Sequence, residues 1–134
     1  MNQFAIITPV PDIIESFVQN SILKKIIERK MVQLKVVNLR DYGLGKHKQI
    51  DDTPFGGGGG MVIKPEPLFD AIDASFSWMM NKDNIRVIYP SPIGERWNQN
   101  SAEQLSRNNN IILICGHYKG IDERVIDGYV TDQY

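Results

Sequence analysis

Residues 111–116 read Ile-Ile-Leu-Ile-Cys-Gly, an apolar run with no polar break that stops at a glycine. A strand with one wet face alternates apolar and polar positions. A strand that is apolar throughout is buried on both faces, as in a parallel sheet covered by helices. The rest of the chain supplies the remaining pieces. Residues 4–7 are a shorter apolar run stopped by Thr8-Pro9, residues 34–39 are rich in β-formers, and Ile85–Tyr89 ends at Pro90-Ser91-Pro92. Helical spacing begins at Asp12, with Ile13, Ile14, Phe17 and Val18 on one face. Ile22, Leu23, Ile26 and Ile27 continue it after Ser21, opposite Lys24, Lys25, Glu28 and Arg29. Pro65 and Pro67 open a second helix that buries Leu68, Phe69, Ile72, Phe76 and Met79. Ser101 and Gln104 fit a capping box at the start of a third. The alternation predicts an α/β domain with a mainly parallel sheet flanked by helices.

Composition sets the bounds. With 134 residues, 42% hydrophobic and 23% charged, the chain suffices for one globular core and is too short for two good ones. A net charge of -1 excludes a general nucleic-acid coat but leaves room for local basic faces. Arg40, Lys46, His47 and Lys48 form one cluster, and Lys24, Lys25, Arg29 and Lys30 another; on charge alone both read as solvated surface. The single cysteine, Cys115, has no internal partner, and two histidines make no zinc spacing. Neither a signal peptide nor a membrane span stands out, so the expected setting is cytoplasmic, away from membranes.

Residues 40–61 carry no periodicity, and loops of that length in compact domains are usually functional or disordered. Within them Asp51-Asp52-Thr53-Pro54-Phe55 leads into five glycines, Gly56 to Gly60, followed by Met61-Val62-Ile63. Glycine alone suggests slack linker, but apolar anchors on both sides suggest a loop pinned to a core with its backbone bare for close approach. The run is not followed by Lys-Ser or Lys-Thr, and no G-x-G-x-x-G opens a helix, so nucleotide fingerprints are excluded. Ligands of open α/β sheets gather at the carboxyl ends of the strands. Two of those ends stand out: residues 89–94, stiffened by Pro90 and Pro92, and residues 115–124 with Gly116, His117, Tyr118 and Gly120. Each has a plainer reading. Asp122 can cap a helix with Arg124 paired to a nearby carboxylate, His117 can be a structural hydrogen-bonder, and Cys115 an inert buried thiol. Trp78 and Trp97 read as packing residues.

The combination is more specific than its parts. ILICGHYKGIDERV, preceded in order by NLRDYG, KHKQIDDTPFGGGGGM and VIYPSPIGERWNQ, closely resembles the bacterial tRNA (guanine-N1-)-methyltransferases of the TrmD type, in the SPOUT superfamily. The resemblance runs from Phe4 to Tyr134. It implies S-adenosylmethionine-dependent methylation of N1 of the guanine immediately 3′ of the anticodon in tRNA, by a cytoplasmic homodimer. It also implies a SPOUT-type α/β trefoil-knot domain, the knot incomplete in this chain, with 1–134 as the N-terminal part and the C-terminal tRNA-binding domain absent. Tyr89, Pro90, Ser91, Pro92 and Gly94 would hold the cofactor, together with Cys115, Gly116, His117, Tyr118 and Gly120. Asp51, Asp52, Pro54, Gly56, Gly57, Gly58, Gly59, Gly60 and Arg124 would face the tRNA.

The family's base, an aspartate assisted by an arginine and a magnesium ion, matches nothing in the chain, so no catalytic residue or metal ligand is assigned. Lys119 stands where many relatives carry glutamate, Pro90 replaces a common leucine, and Thr53 an arginine. Two other classes fit less well: a non-enzymatic RNA- or nucleotide-binding module, and a regulatory domain of flavodoxin type.

Overall fold

The structure is a computed structural model that describes residues 2–53, 59–108, 110–116 and 120–134. In chain order it runs β1 (Asn2–Thr8), α1 (Pro11–Val18), α2 (Ser21–Glu28), β2 (Val32–Asn38) and a 3-10 turn (Leu39–Tyr42). There follow β3 (Asp51–Asp52), β4 (Val62–Ile63), α3 (Pro65–Trp78), β5 (Ile85–Tyr89), α4 (Gln99–Ser106), β6 (Asn110–Ile114), α5 (Glu123–Gly128) and β7 (Asp132–Gln133). Five strands make one sheet in the order β2-β1-β6-β5-β7, with every neighbouring pair parallel. The parallel sheet expected from the sequence is present.

β6 shows why residues 111–114 are all apolar. Ile112 and Ile114 join Ala5, Ile7, Val37 and Val87 in the main core, covered by Leu68, Ala71 and Ile72 of α3 and Val125 of α5. Ile111 and Leu113 face the other way, with Phe4, Ile88 and Leu105 of α4. Side chains alternate across a strand, so an apolar residue at each step serves both layers. Of the five residues expected on the buried side of α3, Leu68, Ile72 and Met79 are buried, while Phe69 and Phe76 pack half-buried against the same core.

Three local readings need correction. The stretch from Asp12 is two helices. The Asn20 side chain donates to the Ser16 carbonyl at 2.6 Å, and Ser21 follows with a positive φ of 54°, which re-aims the chain into α2. The cap of α4 is Asn98, whose Oδ1 accepts from the Ser101 N–H at 3.0 Å; Ser101 lies inside the helix and is no cap. Trp97, expected to pack, is 54% exposed and meets Tyr134 edge-on at 5.0 Å between ring centroids.

The second layer is thin. α1 and α2 contain no buried residue, and Ile13, Phe17 and Ile22 are each about two-thirds exposed. Beside α4 lies an apolar cleft of about 560 Å3, lined among others by Phe4, Ile6, Ile88, Trp97, Leu105 and Leu113. Among the described residues no helix is long and apolar enough to cross a membrane.

Candidate active site

β5 and β6 are neighbours, yet the chain leaving β5 crosses by α4 on one face and the chain leaving β6 by α5 on the other. Such a divergence opens a crevice at the carboxyl ends of the strands, where open parallel sheets hold ligands. Three segments bear on those ends. Residues 90–95 follow β5 and residues 115–122 follow β6. The antiparallel pair β3–β4, with Asp51 opposite Ile63 and Asp52 opposite Val62, forms the base of the glycine-rich segment.

The second and third segments are joined through the main chain. The Ile63 N–H donates to the Gly120 carbonyl at 2.9 Å, and the Asp122 N–H donates to the Ile63 carbonyl at 3.1 Å, making a parallel bridge between Ile63 and Ile121. The Cys115 N–H donates to the Ile7 carbonyl at 2.8 Å and continues the sheet ladder. Burial pushes the half-buried Cys115 thiol up, which keeps it neutral and unreactive near pH 7.

Tyr89 is only 7% exposed and lies against Gly116 and Gly120. A Cβ at Gly116 would stand 3.0 Å from the Tyr89 ring and 3.2 Å from its hydroxyl; one at Gly120 would stand 3.2 Å from the same hydroxyl. Burial pushes the phenol up, opposed by a backbone hydrogen bond at Ile121.

The 90–95 segment is tied to the end of the chain. The Ser91 N–H donates to the Tyr134 carbonyl at 2.7 Å and the Glu95 N–H to the Gln133 carbonyl at 2.9 Å, while the Gly94 N–H closes a turn onto the Ser91 carbonyl at 3.1 Å. The Ile93 N–H donates to the Ser91 hydroxyl at 3.3 Å. Gly94 is bare because a Cβ would lie 2.6 Å from the Gln133 and Tyr134 backbone. Pro90 and Pro92 are exposed at the rim. A recess of about 270 Å3 lies between this turn and residues 131–134.

The acidic and basic groups are arranged in pairs. Asp52 Oδ1 accepts from the Thr53 N–H at 2.8 Å, and its Oδ2 lies 3.9 Å from Lys64 Nζ. Asp122 caps α5 through the Arg124 N–H at 2.9 Å and takes both arms of the Arg124 guanidinium, each at 2.9 Å. That hydrogen bonding holds the Asp122 carboxyl below its usual range. The plainer reading of Asp122 and Arg124 is therefore realised, although the exposed Arg124 can still face a partner. Gly59 and Gly60 are exposed, and Gly60 has a φ of +84°. Pro54, Gly56, Gly57 and Gly58, like His117, Tyr118 and Lys119, lie outside the described residues.

Sequence reasoning missed Lys64, the main-chain bridge of Ile63 (expected only as an apolar anchor) and the 131–134 segment. A lysine directly before Pro65 was the available signal for the first. The others act through backbone atoms and leave no trace in side-chain pattern.

Residues 2–134 match the profile of the family described as tRNA (Guanine-1)-methyltransferase TrmD. The chain belongs to that family. A tRNA (guanine-N(1)-)-methyltransferase of Clostridioides difficile strain 630 is 44% identical over 131 residues, covering 98% of this chain and 56% of the relative. One from Bacillus cereus strain AH820 is 44% identical over 128 residues, covering 96% of this chain and 52% of the relative. The crystal structure of tRNA (m1G37) methyltransferase from Aquifex aeolicus superposes with a TM-score of 0.86 at 35% identity, over 98% of this chain and 58% of that one. The chain thus spans about half the length of the relatives it matches.

Methyltransferases of this family imply S-adenosylmethionine, and the crevice suits such a ligand. The 90–95 amides are already committed, while Gln133 Oε1 is buried and has no partner among the described residues, an acceptor of the kind an adenine amine seeks. A magnesium ion fits less well, because no group of three or more His, Cys, Asp or Glu converges among the described residues.

Proposed function

We propose that these residues form the N-terminal part, 1–134, of the methyltransferase domain of an enzyme that methylates N1 of the guanine immediately 3′ of the anticodon in tRNA, with S-adenosylmethionine as donor. The reading includes a cytoplasmic homodimer and a tRNA-binding domain outside this portion. It is supported by one observation: the base of the glycine run is bridged through Ile63 and Ile121 to the loop after β6, in a chain that matches the TrmD family over residues 2–134.

The donor supplies an activated methyl group. The chain's own part is to bind and orient. Pro90, Ser91, Pro92 and Gly94 form one wall, and Cys115, Gly116 and Gly120 the other, with His117 and Tyr118 between the last two. Asp51, Asp52, Arg124 and Gly56 to Gly60, with Pro54, present the tRNA side. Guanine N1 carries a proton near neutral pH, so a base must remove it as the nitrogen attacks. Asp122 is committed to Arg124, and Asp52 lies beside Lys64; neither is assigned that work, which falls outside residues 1–134.

Calorimetric titration with S-adenosylmethionine, followed by transfer of labelled methyl to unmodified tRNA, tests the reading. A form extended to the relatives' length should bind the donor and transfer label, and the 134-residue chain should transfer none. Transfer by the short chain would place the base within it. Failure of the extended form to bind the donor would overturn the reading.

A further inference from the structure

We infer that Arg86 and Asp132 are a positioning pair for the donor: they hold β7 on the sheet, and the backbone of β7 sets the 90–95 turn. The inference rests on the crevice proposed above, of which that turn is one wall. Neither side chain is assigned a contact with the ligand.

β7 is too short to hold itself. It has two residues, where strands usually run to about five, and it lies at the edge of the sheet beside β5. Side chains add what the ladder lacks. Arg86 Nε and Nη2 donate to the two carboxylate oxygens of Asp132 at 2.8 and 2.6 Å, a planar two-point contact that fixes orientation as well as distance. The Asp132 side chain is 18% exposed, so water competes only weakly for that contact. One residue earlier, the Val87 N–H donates to Thr131 Oγ1 at 2.9 Å, and the Thr131 N–H donates to the Val87 carbonyl at 2.8 Å.

The turn takes its hold from the next two residues. The Ser91 N–H donates to the Tyr134 carbonyl at 2.7 Å and the Glu95 N–H to the Gln133 carbonyl at 2.9 Å. Gly94 presses on the same backbone, since a Cβ there would lie 2.6 Å from the Gln133 carbonyl carbon and the Tyr134 nitrogen. The turn is thus placed by β7, and β7 by Arg86. A donor held by that turn senses the ion pair without touching it, through preorganisation.

The test uses Arg86→Met and Asp132→Asn, each breaking the pair from one side. Amide hydrogen exchange in the 134-residue chain needs no ligand. Titration with S-adenosylmethionine, in the form extended to the relatives' length, reads the crevice. Exchange at Ser91 and Glu95 should be about fivefold faster in either variant, with no further gain in the double variant. Donor affinity should weaken about threefold, within the exchange factor, because the donor binds only the held turn. An affinity loss larger than the exchange gain would mean that the pair touches the donor, and would overturn the inference. Unchanged exchange at Ser91 and Glu95, with a core amide such as Ile112 faster, would make the pair a stabiliser of the fold alone, which also overturns it. Faster exchange with unchanged affinity does the same. If the extended wild type binds no donor while exchange still responds, the pair's hold on the turn stands and the cofactor reading falls.

Discussion

The two faces of the sheet are built from the same strands and equally apolar residues, yet they are covered very differently. Under α3 and α5, Ile7, Leu68, Ile72, Ile112 and Val125 are all fully buried. On the other face, among the described residues, only Ile88, Leu105 and Ile111 are buried together, beside an open apolar cleft and with α1 and α2 burying nothing completely. Apolar strand residues fix where a cover can lie. The covering helices decide how much of that potential is realised as close packing.

Denaturant unfolding of alanine variants would break or sharpen that contrast. Leu68→Ala, at a site with no exposure, should cost about 3 kcal/mol through lost burial and a residual cavity. Leu105→Ala removes the same atoms from the open face and should cost about half as much, because solvent already reaches the site through the cleft. Equal losses would mean that the two faces are equally tight.

β7 offers an intermediate case, since polar bonds hold it to the edge of the sheet. Arg86 donates to Asp132 at 2.8 and 2.6 Å, and Thr131 Oγ1 accepts from the Val87 N–H at 2.9 Å. Burial alone would raise the Asp132 carboxyl, but hydrogen bonds from Arg86 and Thr131 outweigh it and hold the group below its usual range. A folded-state value below the unfolded one gives stability that is full above about pH 4 and lost as pH falls through the folded value. Asp132→Asn should therefore cost about 1 kcal/mol near neutral pH and nothing once the wild-type group is protonated. A loss independent of pH would show packing at that edge instead of charge.

The smallest effect belongs to α1. Phe17→Ser alters a side chain 65% exposed and should change stability by less than about 0.5 kcal/mol. A loss above about 2 kcal/mol would show that this face is covered in solution.

What could be read from the sequence follows from what carries each feature. β6 was legible because both its faces are apolar, and α3 because Leu68, Ile72 and the half-buried Phe69 and Phe76 keep helical spacing. β3 and β4 were not, since two-residue strands are too short for any period to show. β7 escaped for another reason: Asp132-Gln133 has no apolar pattern, and its strand partners, Ile88 and Tyr89, lie far back in the chain. The split between α1 and α2 depends on one side-chain bond from Asn20, which interrupts the helix without interrupting the apolar periodicity. In the site, the pairing of Asp122 with Arg124 is local and was legible. The place of Tyr89 against Gly116 and Gly120 is tertiary and was not.

The interior position of β1, between β2 and β6, governs how the chain folds. Its first neighbour, β2, is about thirty residues away, but its second, β6, aligns Gln3 with Asn110, more than a hundred residues later. No two strands of the main sheet are joined by a hairpin, so each pairing must close a long loop before it gains any contact. During synthesis β1 and β2 can pair early, but the inner edge of β1 stays open until β6 has left the ribosome. That edge is the stretch a chaperone would shield and where a stalled chain would aggregate.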